Sequence, residues 1–328
     1  MAEVLPWLLD SDPALRWQVE RDLAGSPPEV WEATRARVAT EGFGARLLAL
    51  QDPDGQWAGG AFFPAEFQGS PEDGQPWTAT TWSLNALRDW GLDASVLSGT
   101  AELLARNSRW EYENLPYWDG EVDVCINSWT LSNGLWLGAD VHGIARWFVE
   151  HRLVDDGWNC LWVEGAERSS VHSTLNALKA LLDYEKAGGT AGSAGSVVDA
   201  RRGGEEYLLS RNLFRRLSTG EPIAPWVRAF SYPFRWFYNI LNAADYFRAA
   251  ALFDGTAPDP RMADAIEIIR AARQPDGTWL QARRHPGEVW FEIDAPAGEP
   301  SKWLTFHARR VLDWWDCRTG TDTRTLTR

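Results

Sequence analysis

Apolar and aromatic residues return at helical spacing along most of this chain, in paired stretches divided by short polar turns. Trp82, Ala86 and Trp90 lie on one helix face by this spacing. The pattern predicts a short leading helix over 14–23, with Asp12 as its cap and Pro13 at its first position. An outer helix over 28–50 and an inner helix over 77–90 follow. Four more outer and inner pairs are predicted over 92–107 and 123–137, 141–154 and 170–186, 198–213 and 232–252, and 260–273 and 301–315.

The turns between these stretches also repeat. Gln51-Asp52-Pro53-Asp54-Gly55-Gln56-Trp57 is followed by Asp155-Asp156-Gly157-Trp158 and by Gln274-Pro275-Asp276-Gly277-Thr278-Trp279. Glycine supplies the positive φ that ends a helix, and the Trp behind it packs back between hairpins. A hairpin of this kind buries its apolar face only against its neighbours. The predicted fold is therefore all-α, an α/α toroid of about five to six helical hairpins with Gly-Trp turns, in one domain over 1–328. Residues 1–27 are expected to pack on the ring, the Gly/Ala/Ser-rich segment 188–196 to form a flexible loop, and 318–328 to fray.

Composition narrows the function classes. A net charge of −14 argues against a nucleic-acid footprint. No apolar run reaches the length of a membrane span, and the N-terminus has no basic or signal-type segment. Three widely spaced Cys fit a reduced, cytoplasmic setting. The 21 Trp are expected to staple repeats, to line an apolar pocket, or both. Trp77, Trp82, Trp129, Trp236 and Trp303 are the candidates for the lining, at or near the starts of inner helices.

Asp123 and Ser170 stand where they cap two successive inner helices, which puts Cys125 and His172 each at a second helical position. Neighbouring inner helices then bring these side chains to one mouth, and Cys160 sits in the loop before the second of them. Carboxylate, thiolates and imidazole form a zinc-type ligand set. The plain alternative is a buried Cys and a hydrogen-bonded His, and a metal-free thiol–imidazole pair of Cys125 and His172 is a further reading. Arg235 and Lys302, near the starts of the last two inner helices, are candidates to hold an anion such as a diphosphate.

The Gln-x-x-x-Gly-x-Trp sentence resembles the repeat of the squalene/oxidosqualene cyclases, and the hairpin pattern is similar to the β subunits of protein prenyltransferases. The resemblance spans about residues 30–315 and implies an α/α toroid around a cavity for an isoprenoid or other apolar substrate. Asp123-Val124-Cys125, with His172 later, resembles the zinc-binding pattern of the prenyltransferases. The Asp-x-Asp-Asp of protonating cyclases is absent, as are basic residues in 117–122. Two other readings stay open: a non-catalytic toroid binding a glycan, peptide or lipid, and a metal-independent protonating cyclase using Asp119, Glu121 or Asp123.

Overall fold

A computed structural model of the chain describes residues 4–69, 74–189 and 194–319. It is mostly helical, and its strands are two-residue segments. The opening is a pair of short helices, α1 (Val4–Leu9) and α2 (Pro13–Asp22), rather than one. Asp12 Oδ1 accepts from the Ala14 N–H, the cap its position predicts. The expected outer helix over 28–50 is broken into α3 (Pro28–Ala36) and α4 (Gly42–Leu48) by a 3-10 turn at Arg37–Ala39. Then come α5 (Thr80–Asp89), α6 (Thr100–Asn107), α7 (Val124–Leu137), α8 (His142–Glu150) and α9 (Val171–Lys186). They are followed by α10 (Ala194–Leu209), α11 (Ile240–Asp254), α12 (Ala263–Ala271) and α13 (Lys302–Thr319). Strands β1 (Trp279–Leu280) and β2 (Pro300–Ser301) pair antiparallel ahead of α13.

The largest boundary differences are at α6, expected from 92 and begun at Thr100 after a 3-10 turn at Ala94–Leu97, and at α11, expected from 232 and begun at Ile240. Pro233 disfavours helical backbone at the residue before it, and Arg235 adopts φ +52°. Residues 232–239 therefore form a loop, and Arg235 does not open a helix. Of the expected loop 188–196, Gly188 and Gly189 form a turn and Ala194 already begins α10, while 190–193 lie outside the described residues. Of the expected tail, 318 and 319 belong to α13 and 320–328 lie outside the described residues.

The repeated turn sentences fold into one repeated structure. The indole N–H of Trp57, Trp158 and Trp279 donates to the carbonyl of Leu47, Phe148 and Ile269, each ten residues upstream at the end of an outer helix. The backbone N–H of the same three residues donates to the hydroxyl of Thr80, Thr174 and Thr305 on the next helix of the α5, α9, α13 series, at 3.0–3.1 Å. Each Trp thus ties the end of one helix to the start of another, with its ring almost wholly buried.

Six helices touch in succession: α5 packs on α7, α7 on α9, α9 on α11, α11 on α13, and α13 on α2. Side chains of α2 then reach the end of α5, where Trp17 Nε1 donates to the Trp90 carbonyl at 2.8 Å and Gln18 Nε2 to the Asp89 carbonyl at 3.1 Å. Those six, with the loops before α5, α11 and α13, carry the residues that face the interior space described next.

Candidate functional site

A cavity of about 840 Å³ lies among these six helices. At one end it is walled by aromatic rings. Trp82 stands in the first turn of α5 with Trp77 before it, their centroids 4.6 Å apart and edge to face. Trp129, in the middle of α7, meets Trp82 at 4.6 Å. Trp303 of α13 stacks on Tyr232 at 4.6 Å. Three of the indole N–H groups are bonded to backbone carbonyls: Trp77 donates to Pro286, Trp82 to Phe62 and Trp303 to Ile293. The wall therefore presents ring faces and keeps its polar edges satisfied.

The segment 284–293 covers this end and contributes Trp290 and Phe291. It approaches the start of α5 closely, with Trp77 N–H donating to the Glu288 carbonyl at 2.8 Å. Gly287, at φ +123°, allows that approach, since a Cβ there would stand 1.7 Å from the Gln75 carbonyl oxygen.

Arg235 enters the same end from the loop before α11. Its guanidinium carbon lies 4.7 Å from the Trp77 ring centre and 5.9 Å from that of Trp82. Among the described residues it has no carboxylate partner and donates no hydrogen bond. Burial lowers its pKa to about 9, which leaves it charged at neutral pH. His285, on the same wall, is stacked 3.7 Å from Phe237. Burial, then the charges of Arg283 and Arg235, lower its pKa to about 3 and keep it neutral.

Toward the ends of α5 and α9 the lining becomes polar. Arg88 Nη1 donates to Asn133 at 2.9 Å, and its Nη2 lies 3.6 Å from Asp89. Lys179 Nζ donates to Asn242, and Asp183 accepts from Ser132 at 2.8 Å. Asp89 has a side chain 62% exposed, yet it lines the cavity, where the surrounding protein raises its pKa. Against α11 and α13, Asp245 is held well below the usual carboxylate range: burial opposes this, and the charges of Arg310 and Arg248 outweigh it.

The sequence-predicted residues divide into three groups. Trp77, Trp82, Trp129, Trp303 and Arg235 line the cavity together. Trp236 and Lys302 do not. Trp236 packs on Phe237 at 3.8 Å, and Lys302 Nζ turns outward to the Asp10 carbonyl beside the Trp7 ring. Asp123, Cys125, Cys160 and His172 also lie off the cavity lining.

In this last group the sulfurs of Cys125 and Cys160 are 3.4 Å apart. Cys125 and His172 occupy second helical positions as expected, although neither Asp123 nor Ser170 caps its helix with a side-chain bond. Burial raises the pKa of Asp123, and a hydrogen bond to the Cys160 thiol opposes this. His172 faces elsewhere: its Nδ1 accepts from the Tyr238 N–H at 2.8 Å and its ring packs on Trp226. Burial lowers its pKa to about 4. Asn176 connects the two halves, donating to the Cys125 sulfur at 3.4 Å and to the His172 carbonyl at 3.0 Å. Among the described residues, no three His, Cys, Asp or Glu side chains converge as a metal site. His172 and the thiols thus do not fit a shared zinc in this arrangement.

The polar belt of Asn85, Arg88, Asp89, Lys179 and Asp183 was not expected from the sequence. Its signal is present, since Asn85 and Asp89 follow Trp82 by three and seven residues and so share its face.

No family model matches the chain, and no curated protein matches it. Among solved structures, a protein from Actinoplanes is similar over 94% of this chain and 90% of its own, at 18% identity and a TM-score of 0.43.

Proposed function

We propose that this chain is a terpenoid cyclase/prenyltransferase-like α/α toroid whose central cavity encloses an isoprenoid-like or other apolar substrate. The observation that carries the reading is the cavity wall, where Trp77, Trp82, Trp129 and Trp303 gather and the N–H groups of Trp77, Trp82 and Trp303 are bonded to backbone carbonyls. The ring form is supported by the succession of helix contacts from α5 to α13 and back through α2. A cavity of about 840 Å³ is in the range of small-molecule sites.

The chemistry this lining supports is proton transfer to an enclosed apolar substrate. Asp119, Glu121 and Asp123 are off the cavity lining, whereas Asp89 lines it and is displaced toward its neutral form. A carboxyl whose pKa is raised beside such a space, with Arg88 and Lys179 opposing the shift, is a candidate proton donor, and ring faces stabilise the positive charge that develops. No step is assigned to zinc.

Titrating the protein with farnesol while following tryptophan fluorescence tests the binding reading. Saturable quenching that weakens in Trp129→Ala is expected, and absence of any response to farnesol or longer polyprenols would remove it. Conversion of a linear polyprene that disappears in Asp89→Asn, with binding retained, is expected for the catalytic reading. Binding without turnover in the wild-type protein would leave the non-catalytic toroid in its place.

A further inference from the structure

Among the described residues of this lining, one partly buried cation stands without a nearby carboxylate. Arg88 faces Asp89, Arg284 pairs with Glu292, and Arg310 pairs with Asp245. Lys179 is surrounded by Asp89, Asp245 and Asp183. Lys186 is exposed at the far end of α9. His285 and His307 are held neutral, with pKa values lowered to about 3 and about 4. Arg235 alone among the described, partly buried cations of this lining has neither a carboxylate partner nor a hydrogen-bond acceptor.

An unpaired guanidinium in a water-poor site is held at a desolvation penalty that a bound anion offsets. Here the flat ion lies over two indole faces. This arrangement holds the cation in place and leaves its N–H edges for a planar acceptor. A carboxylate matches one guanidinium through two parallel hydrogen bonds and cancels its single charge. A diphosphate carries several charges and needs several free cations, which this lining lacks.

We infer that the cavity takes an amphipathic carboxylate, its head group on Arg235 and its apolar body along Trp82 and Trp129. The inference rests on the reading of the cavity as an apolar-substrate site and adds the class of head group. Asp89 lies seven residues beyond Trp82 on α5, about 10 Å along the axis. A molecule anchored at Arg235 therefore directs its far end toward the polar belt.

Calorimetric titration of the full chain with farnesoic acid, farnesol and farnesyl diphosphate tests this. The carboxylate is expected to bind about 10- to 100-fold more tightly than the alcohol, the range of a charge-assisted hydrogen-bond pair. It is also expected to bind more tightly than the diphosphate. Arg235→Met is expected to bring the acid to the affinity of the alcohol while leaving the alcohol unchanged. Arg235→Lys should keep part of the preference. Equal binding of acid and alcohol, or preference for the diphosphate, overturns the carboxylate inference and leaves the apolar cavity standing. Failure of all three to bind overturns both. The ranking on wild-type protein decides the matter even if a substitution at Arg235 impairs folding.

Discussion

The sulfur of Cys160 lies 3.4 Å from that of Cys125, with the Ser173 hydroxyl donating to Cys160 and the Asn176 amide to Cys125. The two thiols are unequal. The Cys125 thiol and then the Ser173 hydroxyl favour the Cys160 thiolate, whereas Cys125 resists ionisation beside it and within its buried site. Oxidised glutathione is therefore expected to react at the half-buried Cys160, which displaces one glutathione thiolate and forms a mixed disulfide. Cys125 then attacks the Cys160 sulfur and releases the second glutathione. The sulfurs need to approach by only about 1.4 Å to bond. Peptide mapping should find residues 125 and 160 cross-linked, with Cys317 outside the pair. Modification confined to Cys317 would count against this pairing. Protection of both thiols by one equivalent of zinc would instead favour the metal reading.

Three tryptophans make the same pair of bonds, so their loss should have the same consequence. Trp57→Phe, Trp158→Phe and Trp279→Phe each remove the indole bond to an outer-helix carbonyl, at Leu47, Phe148 or Ile269, and at Leu47 the Leu50 N–H remains as a donor at 3.2 Å. Each is expected to lower stability by about 1–3 kcal/mol. The corresponding Ala variants should lose about 3–5 kcal/mol through the cavity left by the ring. Urea denaturation of the six variants checks this. A neutral Trp→Phe exchange at any of the three would show that the shared geometry is not shared energetics.

The helical class was legible because the apolar spacing and the Gly-Trp turns are local signals, and the three matched turns reproduce one another down to the threonine that receives each Trp N–H. The aromatic cavity wall was legible in four of its five expected tryptophans. Trp236 misled because Tyr232 to Tyr238 is aromatic enough to resemble a helix face, although Pro233 already spoke against helix there. The polar belt escaped notice because charged residues near a helix end are usually solvated. Only the three-dimensional arrangement shows Lys179, on α9, sharing an interior with Asp89 on α5. Metal-ligand chemistry was read from residue types, whereas the direction of the His172 ring is set by the Tyr238 N–H, a contact 66 residues away.

Arg201 is a second case that charge patterning hides. Its side chain is 1% exposed and reaches Glu185, Glu205 and Asp254 at 2.5–2.9 Å, joining α9, α10 and the end of α11. Tyr246 also donates to Glu205 at 2.8 Å. Removing the cation leaves Glu185 without it, and leaves Glu205 and Asp254 with only the more exposed Arg202 as a cationic partner. Arg201→Met is expected to destabilise by about 3–5 kcal/mol, the range for breaking a buried pair from one side. Thermal and urea unfolding measure it. A loss below about 1 kcal/mol would place this cluster with ordinary surface pairs.

Stability should fall as the solution is acidified below neutrality, well before ordinary carboxylates protonate. Burial lowers the pKa of His172 and His307 to about 4 and of His285 to about 3, against about 6.5 in an unfolded chain. A depressed folded pKa means that the unfolded chain binds the extra proton between the two values. The stabilisation is therefore complete above about pH 6.5 and is lost progressively as pH falls toward 4. Each fully buried histidine contributes at most about 1.4 kcal/mol per pH unit, and half-buried His172 and His285 contribute less. Asp294 acts in the opposite sense, because burial raises its pKa to about 6 and its stabilisation is lost as pH rises through that value. The net expectation is a drop of roughly 1–3 kcal/mol per pH unit between pH 6 and 5. His307→Gln should reduce that slope by about 1 kcal/mol per pH unit, since this ring is buried beside Asp245 and Arg310. Urea midpoints at pH 7, 6 and 5 for both proteins give the slope directly. A profile that is flat or rises toward pH 5 would show that these imidazoles charge freely within the folded state.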